Sequence, residues 1–248
     1  MKEDTRWKLL AGIILVTLSL ALFTVHYLIF HDAHHVLIYA MGDLAFIPIE
    51  VLVVTLIIDQ MLASREKQQR MEKLNMVIGT FYSTLGTPLL ALLARADPGL
   101  SSVRPALAHG APVSDEAVAK MNACLSSHPC TVRADSMDLE ALRTLLVSND
   151  EFLLRIIENP MVFEHESFTD LILAVTHLEE ELRARDHLTS LPPTDLAHLQ
   201  GDMNRVYSHL VPEWVRYMQY LKKHYPFLFS LALRRNPFDP DATVFVEN

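Results

Sequence analysis

One apolar helical pattern, running from Val36 to Leu85, constrains this chain more than any other feature. Its first 23 residues, Val36 to Ile58, hold only two carboxylates, Asp43 and Glu50, with Pro48 between them. As a helix they span about 35 Å, enough to cross a hydrocarbon core of about 30 Å. Asp59 to Arg70 contains no Gly or Pro and is rich in helix formers, so the helix is predicted to continue beyond the bilayer. Met71, Leu74, Ile78, Phe81 and Leu85 then recur with 3,4,3,4 spacing. That stripe suits a self-association seam and a helix packed on its own domain equally well, and both expectations stand.

Leu9 to Phe30 supplies a second apolar run, 22 residues with no charge and one histidine, His26. Its apolar stretch is too long for a signal peptide, and Ile29, Phe30 and His31 offer no small-residue cleavage site. His31 to His35 is the only connection between the runs, and so short a turn predicts an antiparallel hairpin. Lys2, Arg6 and Lys8 precede the first span, Arg65, Lys67, Arg70 and Lys73 follow the second, and the turn has neither Lys nor Arg. Positive charge is retained on the cytoplasmic side, which predicts an inner (plasma) membrane protein with both termini in the cytoplasm.

The remainder reads as short helices. Gly86, Thr87 and Pro88 are expected to break the long helix, and Asp97 to Val113, with three Pro and two Gly, reads as a linker. Ser114 is the expected N-cap of a helix through Ser126, Asp135 or Ser136 that of another through Val147, and Asn149 to Glu158 forms a third. Two matching stripes follow: Phe168, Leu171, Val175, Leu178, Leu182, and then Leu196, Leu199, Met203, Val206, Leu210. With Leu191-Pro192-Pro193 between them they predict an αα-hairpin, Thr194 capping its second arm. Pro212 is expected to kink or restart that arm. The fold class is all-α: a two-span transmembrane helical hairpin (residues 1–62, spans 9–30 and 36–58) followed by a cytoplasmic helical bundle. Juxtamembrane amphipathic helices occupy 63–96, the linker 97–113, the helical domain 114–238 and a tail 239–248.

Gly42 to Phe81, GDLAFIPIEVLVVTLIIDQMLASREKQQRMEKLNMVIGTF, together with Tyr225 to Phe238, YPFLFSLALRRNPF, resembles a family of uncharacterised prokaryotic integral membrane proteins. The resemblance implies two spans and a helical cytoplasmic domain over most of the chain. It implies no activity.

From Met76 onward 14 Lys and Arg face 22 Asp and Glu, a balance without the basic footprint that phosphate backbones require, so nucleic acid is not an expected partner. Cys124 and Cys130 lack His at ligand spacing, and a disulfide is not expected in a reducing compartment. The chain has no phosphate-binding glycine loop, nucleophile elbow or HExxH motif, so neither an enzyme nor a cofactor is predicted.

Three constellations carry possible chemistry. Asp43 and Glu50, two helical turns apart, share one face of the second span, where Pro48 removes a backbone donor from the Leu44 carbonyl. With His26 nearby in depth they define a candidate ion or proton pathway; the structural alternative is a Glu50 that hydrogen-bonds across an oligomer interface. His31, Asp32, His34 and His35 suit a transition metal by type, but one turn cannot aim them all at one point, so a shared site between copies is the better version. His177 with Glu180 or Glu181, and His198 with Asp195 or Asp202, have ligand spacing on a helix face. Both histidines fall at c positions outside the two-helix seam, which predicts surface ion pairs rather than a buried di-metal site.

The reading is an integral membrane protein, its expected partners being the lipid bilayer, further copies of itself and a cytoplasmic protein, with the helical domain as an interaction or sensing module. An oligomeric ion or proton pathway is the rival, and a metal-dependent sensor or enzyme the third class.

Overall fold

The computed structural model describes residues 2–100, 119, 123–125, 127–239 and 242–245, and every regular element among them is helical. The all-α expectation holds. Two compact units are separated, Met1–Lys67 and Gln68–Asn248.

In the first unit, α1 spans Lys2–Phe30 and α2 starts at Ala33, so the connection is shorter than the expected five residues. His31 takes a left-handed backbone, φ 52°. Asp32 Oδ1 accepts the backbone N–H groups of His34 (2.9 Å) and His35 (3.1 Å), a side-chain cap that starts α2 inside the predicted turn. The hydroxyls of Thr17 and Thr24 donate to the carbonyls of Ile13 and Leu20, both at 2.7 Å, which satisfies these polar groups within the helix. Pro48 lies inside α2, which continues as one helix to Phe81. Apart from Val36, every large apolar side chain from Leu9 to Leu62 is at least 40% exposed.

The second unit buries its apolar side chains instead. The end of α2 delivers Leu74, Ile78 and Phe81 into the core, with Met71 packed against it, and Leu85 follows. This corrects the expectation of a self-association seam: the chain's own helices occupy the stripe. Nor do Gly86, Thr87 and Pro88 break the helix. A π-helical turn, Tyr82–Gly86, leads directly into α3, Thr87–Arg95, with Pro88 in its first turn where a missing N–H costs little. The inserted residue advances the buried face, so Leu89, Leu90 and Leu93 turn inward where strict 3,4 spacing would have placed Pro88 and Leu92.

After the expected linker's first residues, Asp97 and Leu100, which are themselves buried, most of 97–113 and of the predicted Ser114 to Ser126 helix lies outside the described residues. A 3₁₀ turn, Ala134–Ser136, precedes α4, Leu139–Val147. Asp138, not Asp135 or Ser136, caps α4, its Oδ1 accepting Ala141 N–H at 2.9 Å. Next come α5, Asp150–Ile157, α6, Glu166–Arg183, α7, Pro193–His224, and α8, Pro226–Arg234.

The helices α6 and α7 form the core hairpin. Phe168, Leu171, Val175, Leu178 and Leu182 meet Leu199, Met203, Val206 and Leu210 in the buried interior, with Leu196 at its edge. Around this pair, α4 and α5 pack on α6, and α3 and α8 on α7. Two local expectations differ. Thr194 is not the cap, because Pro193 opens α7 with a preset φ and the Pro192 carbonyl accepts Asp195 and Leu196 N–H. Pro212 does not restart the helix, since α7 runs on through it to His224.

Gly86 is the close approach that makes the π turn possible. A Cβ there would stand 2.7 Å from Phe81 Cε1 and 2.8 Å from Tyr82 Cδ1. Both rings are buried and fixed by neighbours, Phe81 edge-on to Phe168 at 5.6 Å and Tyr82 stacked on Tyr217 at 5.1 Å. Gly to Ala in an exposed helix stabilises by about 1 kcal/mol, whereas overpacking a closed core costs about 1–3 kcal/mol. Gly86→Ala is therefore expected to lower the domain's melting temperature in thermal unfolding followed by circular dichroism; a raised melting temperature would show that the rings yield freely.

Candidate functional site

Asp43 and Glu50 sit on α2 within the first unit, and both are exposed. His26, half-buried, stacks its ring on His35 at 6.1 Å and tilts against Phe30 at 4.8 Å. The histidines of the connection do not gather around one point. Asp32 spends Oδ1 on capping α2, and among the described residues the metal-type donors of His31, Asp32, His34 and His35 form no convergent group. One turn does not aim them at one point within the single chain, and a site shared between copies remains the form of that expectation.

Convergence occurs instead on the α6–α7 hairpin. His177 and Glu181 lie one turn apart on α6, His198 and Asp202 one turn apart on α7. The cross-helix partners run in opposite directions, His177 beside Asp202, Glu181 beside His198, Arg185 beside Asp195, as antiparallel arms require. One donor atom from each of His177, Glu181, His198 and Asp202 lies within 4.8 Å of all the others. The c-position reading correctly left the histidines outside the apolar seam, with side chains 44% and 53% exposed. It missed that c positions on two antiparallel helices flank the same edge of that seam, so the four side chains meet there.

Two arginines hold the carboxylates from behind. Arg185 binds Asp195 through two bonds, Nε to Oδ2 at 3.0 Å and Nη2 to Oδ1 at 2.6 Å, while its Nη1 reaches Glu181 Oε2 at 2.8 Å. This guanidinium holds the Glu181 carboxyl below the usual range, and His198 and His177 act in the same direction, so Glu181 presents a carboxylate. Arg205 Nη1 donates to Asp202 Oδ1 at 2.7 Å. Asp202 itself is 2% exposed, and its Oδ2 has no hydrogen-bond partner among the described residues.

A second polar cluster was illegible in the sequence. Asp97 Oδ2 and His128 Nε2 stand 2.5 Å apart with both side chains buried, and Asp97 belongs to the stretch read as linker. Around them, Arg133 N–H donates to the Ala96 carbonyl at 3.0 Å, and Asn204 and Gln200 on α7 accept the N–H groups of Val132 and Ala134 at 2.7 and 3.1 Å. Burial and the neighbouring Asp97 carboxyl push the Tyr207 phenol up. The same two causes raise the Cys130 thiol from 9.0 to about 11, which leaves it protonated and unreactive at neutral pH. The arrangement pins an extended segment onto α7; it does not activate a nucleophile. Cys124 and Cys130 are both free.

These elements define a class: an all-α protein with an apolar N-terminal helical part and a C-terminal helical domain built on one antiparallel hairpin. The chain belongs to the MJ1433 family. Residues 2–62 match the family described as MJ1433, N-terminal helical domain, and residues 70–234 match Uncharacterized protein MJ1433, C-terminal helical domain. Over 246 residues, 99% of both chains, it is 42% identical to Uncharacterized protein MJ1433 of Methanocaldococcus jannaschii. No solved structure matches. The resemblance read from Gly42 to Phe81 and Tyr225 to Phe238 thus leads to a helical family.

The Cys130 environment has a pH signature. With a folded-state value near 11 against an ordinary 9.0, the unfolded chain loses this proton first. Its contribution to stability is complete below pH 9.0 and disappears as pH rises toward about 11. In a Cys124→Ser background, alkylation of native Cys130 by iodoacetamide, followed by mass spectrometry, is expected to accelerate toward pH 11 rather than near 9. Modification at neutral pH as fast as a free peptide thiol would contradict the account of a partly buried thiol held protonated.

Proposed function

We propose that this chain is an integral membrane protein of two spans that holds its helical domain at the cytoplasmic face of the plasma membrane, where the domain serves as an interaction or sensing module. The supporting observation is the contrast between the units. From Leu9 to Leu62 the large apolar side chains, Val36 apart, are at least 40% exposed, whereas the C-terminal unit encloses its own apolar core. Two helices long and apolar enough to cross a bilayer, with their most apolar stretches unburied, need a covering that the chain itself does not supply. Lipid is that covering. The Lys and Arg asymmetry orients both termini inward and leaves His31–Asp32 outside.

Asp43 and Glu50 favour self-association within that reading. An ionisable side chain at the centre of a span costs about 2.5–3.5 kcal/mol on insertion scales, and such groups face protein or water. On the single chain both are exposed, so a further copy, binding through the second span, supplies the shelter. The second reading, an oligomer whose second spans line an ion or proton path, rests on the same two carboxylates. A protein partner in the cytoplasm is expected for an acidic helical domain; a nucleic acid is not.

Cysteine accessibility tests the topology. In intact cells an impermeant maleimide is expected to label Ala33→Cys and to spare Ser64→Cys; the reverse pattern would overturn the orientation, and equal labelling would overturn the membrane reading. Glu50→Gln separates the roles of the acid, since it preserves shape and hydrogen bonding but removes the titrating proton. For a pathway, proton or cation flux in liposomes is expected to fall at least about tenfold with oligomeric mass unchanged. Wild-type liposomes that pass no ions under any gradient would leave Glu50 as an interhelical contact.

A further inference from the structure

We infer that His177, Glu181, His198 and Asp202 form a binding site for one divalent transition-metal ion of the zinc class. Each arm of the α6–α7 hairpin contributes an imidazole and a carboxylate one turn apart, and the four donor atoms lie within 4.8 Å of one another. The donor set, two nitrogens and two carboxylate oxygens, is one that zinc takes in tetrahedral geometry. Calcium and magnesium, which require more oxygens, do not suit it.

The distances favour a shared ion over simple pairing. His198 Nε2 stands 3.4 Å from Asp202 Oδ2 and 3.7 Å from Glu181 Oε2, and His177 Nε2 stands 3.7 Å from Asp202 Oδ1 and 3.9 Å from Glu181 Oε1. All four are longer than an N–H···O hydrogen bond, which closes at about 2.7–3.2 Å. Donors around a tetrahedral zinc with bonds of about 2.0–2.1 Å stand about 3.4 Å from one another. Each imidazole therefore stands near co-ligand spacing from one oxygen of each carboxylate, a different oxygen for the two imidazoles, and side-chain rotations bring a single oxygen of each to the ion.

A second observation points to the same centre. Asp202 is 2% exposed and Arg205 takes only its Oδ1, so Oδ2 faces the cluster without a hydrogen-bond donor among the described residues. A buried carboxylate oxygen in that state is costly, and a cation among the four side chains removes the deficit. Arg185 on Glu181 and Arg205 on Asp202 act as the outer partners that orient ligating carboxylates. Arg185 also binds Asp195, so the carboxylates still outnumber the guanidiniums around the site. Half-exposed imidazoles at the rim give the ion an entry path.

Metal binding would lock one arm of the core hairpin to the other, which gives the sensing role proposed above a ligand. Binding is measured in detergent whatever the topology, so the two readings fail separately. The test uses the full chain in micelles after chelator treatment, with zinc chloride titrated against a chromophoric chelator. The wild-type chain is expected to bind an equivalent of zinc that His177→Gln/His198→Gln binds at least about 100-fold more weakly or not at all. Zinc is expected to raise the wild-type melting temperature and not the variant's, with magnesium chloride inert on both. Cobalt is expected to give ligand-field bands without a thiolate charge-transfer band, which excludes Cys124 and Cys130 as the ligands. Should the double variant melt lower than wild type without metal, Glu181→Gln is read in its place. No zinc binding by wild type, or equal binding after these replacements, would overturn the site and leave the cluster as ion pairs.

Discussion

The C-terminal domain depends on the aromatic contact between the end of α2 and the core hairpin. Phe81 meets Phe168 of α6 edge-on at 5.6 Å, and Tyr82 stacks on Tyr217 of α7 at 5.1 Å. Tyr82 Oη also donates to the Leu210 carbonyl at 2.8 Å, in the interior. Burial, then the Glu213 carboxylate, hold that phenol well above its usual range, so it remains a donor at any physiological pH. Adjacent residues thus tie α2 to both arms of the hairpin. They point inward together because the π turn follows at once, and the turn closes because residue 86 is glycine.

The hairpin carries polar groups in an orderly way. Glu179, 2% exposed, is bound by Arg183 at 2.6 Å, and Arg183 continues to Asp150 at 2.8 Å, which joins α5 to α6. Glu213, equally buried, pairs with Arg216, which reaches Ser167 Oγ at 2.7 Å and joins α7 to the start of α6. Glu179 and Glu213 therefore each have an arginine three or four residues along, and each of these two arginines has a second contact on another helix. Breaking such a pair costs about 3–5 kcal/mol, since it strands a buried charge. The His177, Glu181, His198 and Asp202 group departs from this scheme, because one oxygen of its buried carboxylate lacks a donor among the described residues. That departure is one of the observations behind the inferred metal site.

Periodicity made most of the architecture legible. The stripes Phe168 to Leu182 and Leu199 to Leu210 are the buried faces of α6 and α7, and Leu74, Ile78, Phe81 and Leu85 are core. The same periodicity cannot reveal who covers a stripe, which is why a self-association seam and an internal packing face looked alike. Gly and Pro misled where they serve packing: Gly86 for a close ring approach, Pro88 and Pro193 for the first turns of helices. The candidate site was half legible. Ligand spacing within each helix could be counted, but the register that sets 177 against 202 and 181 against 198 follows from the connection between the arms. Asp97 and His128, 31 residues apart, have no periodic signal at all.

On this account two solvents stabilise one chain: lipid covers α1 and the apolar part of α2, and the C-terminal unit is held by its own core. Hydrogen–deuterium exchange of the full chain in lipid nanodiscs, at rising urea concentration, measures the two separately. The account predicts that amides from Phe168 to Leu221 lose protection in a cooperative transition while those of Leu9 to Phe30 and Val36 to Ile58 stay protected throughout. Loss of protection in the two apolar segments together with the domain would contradict it, since they would then belong to a single water-soluble fold.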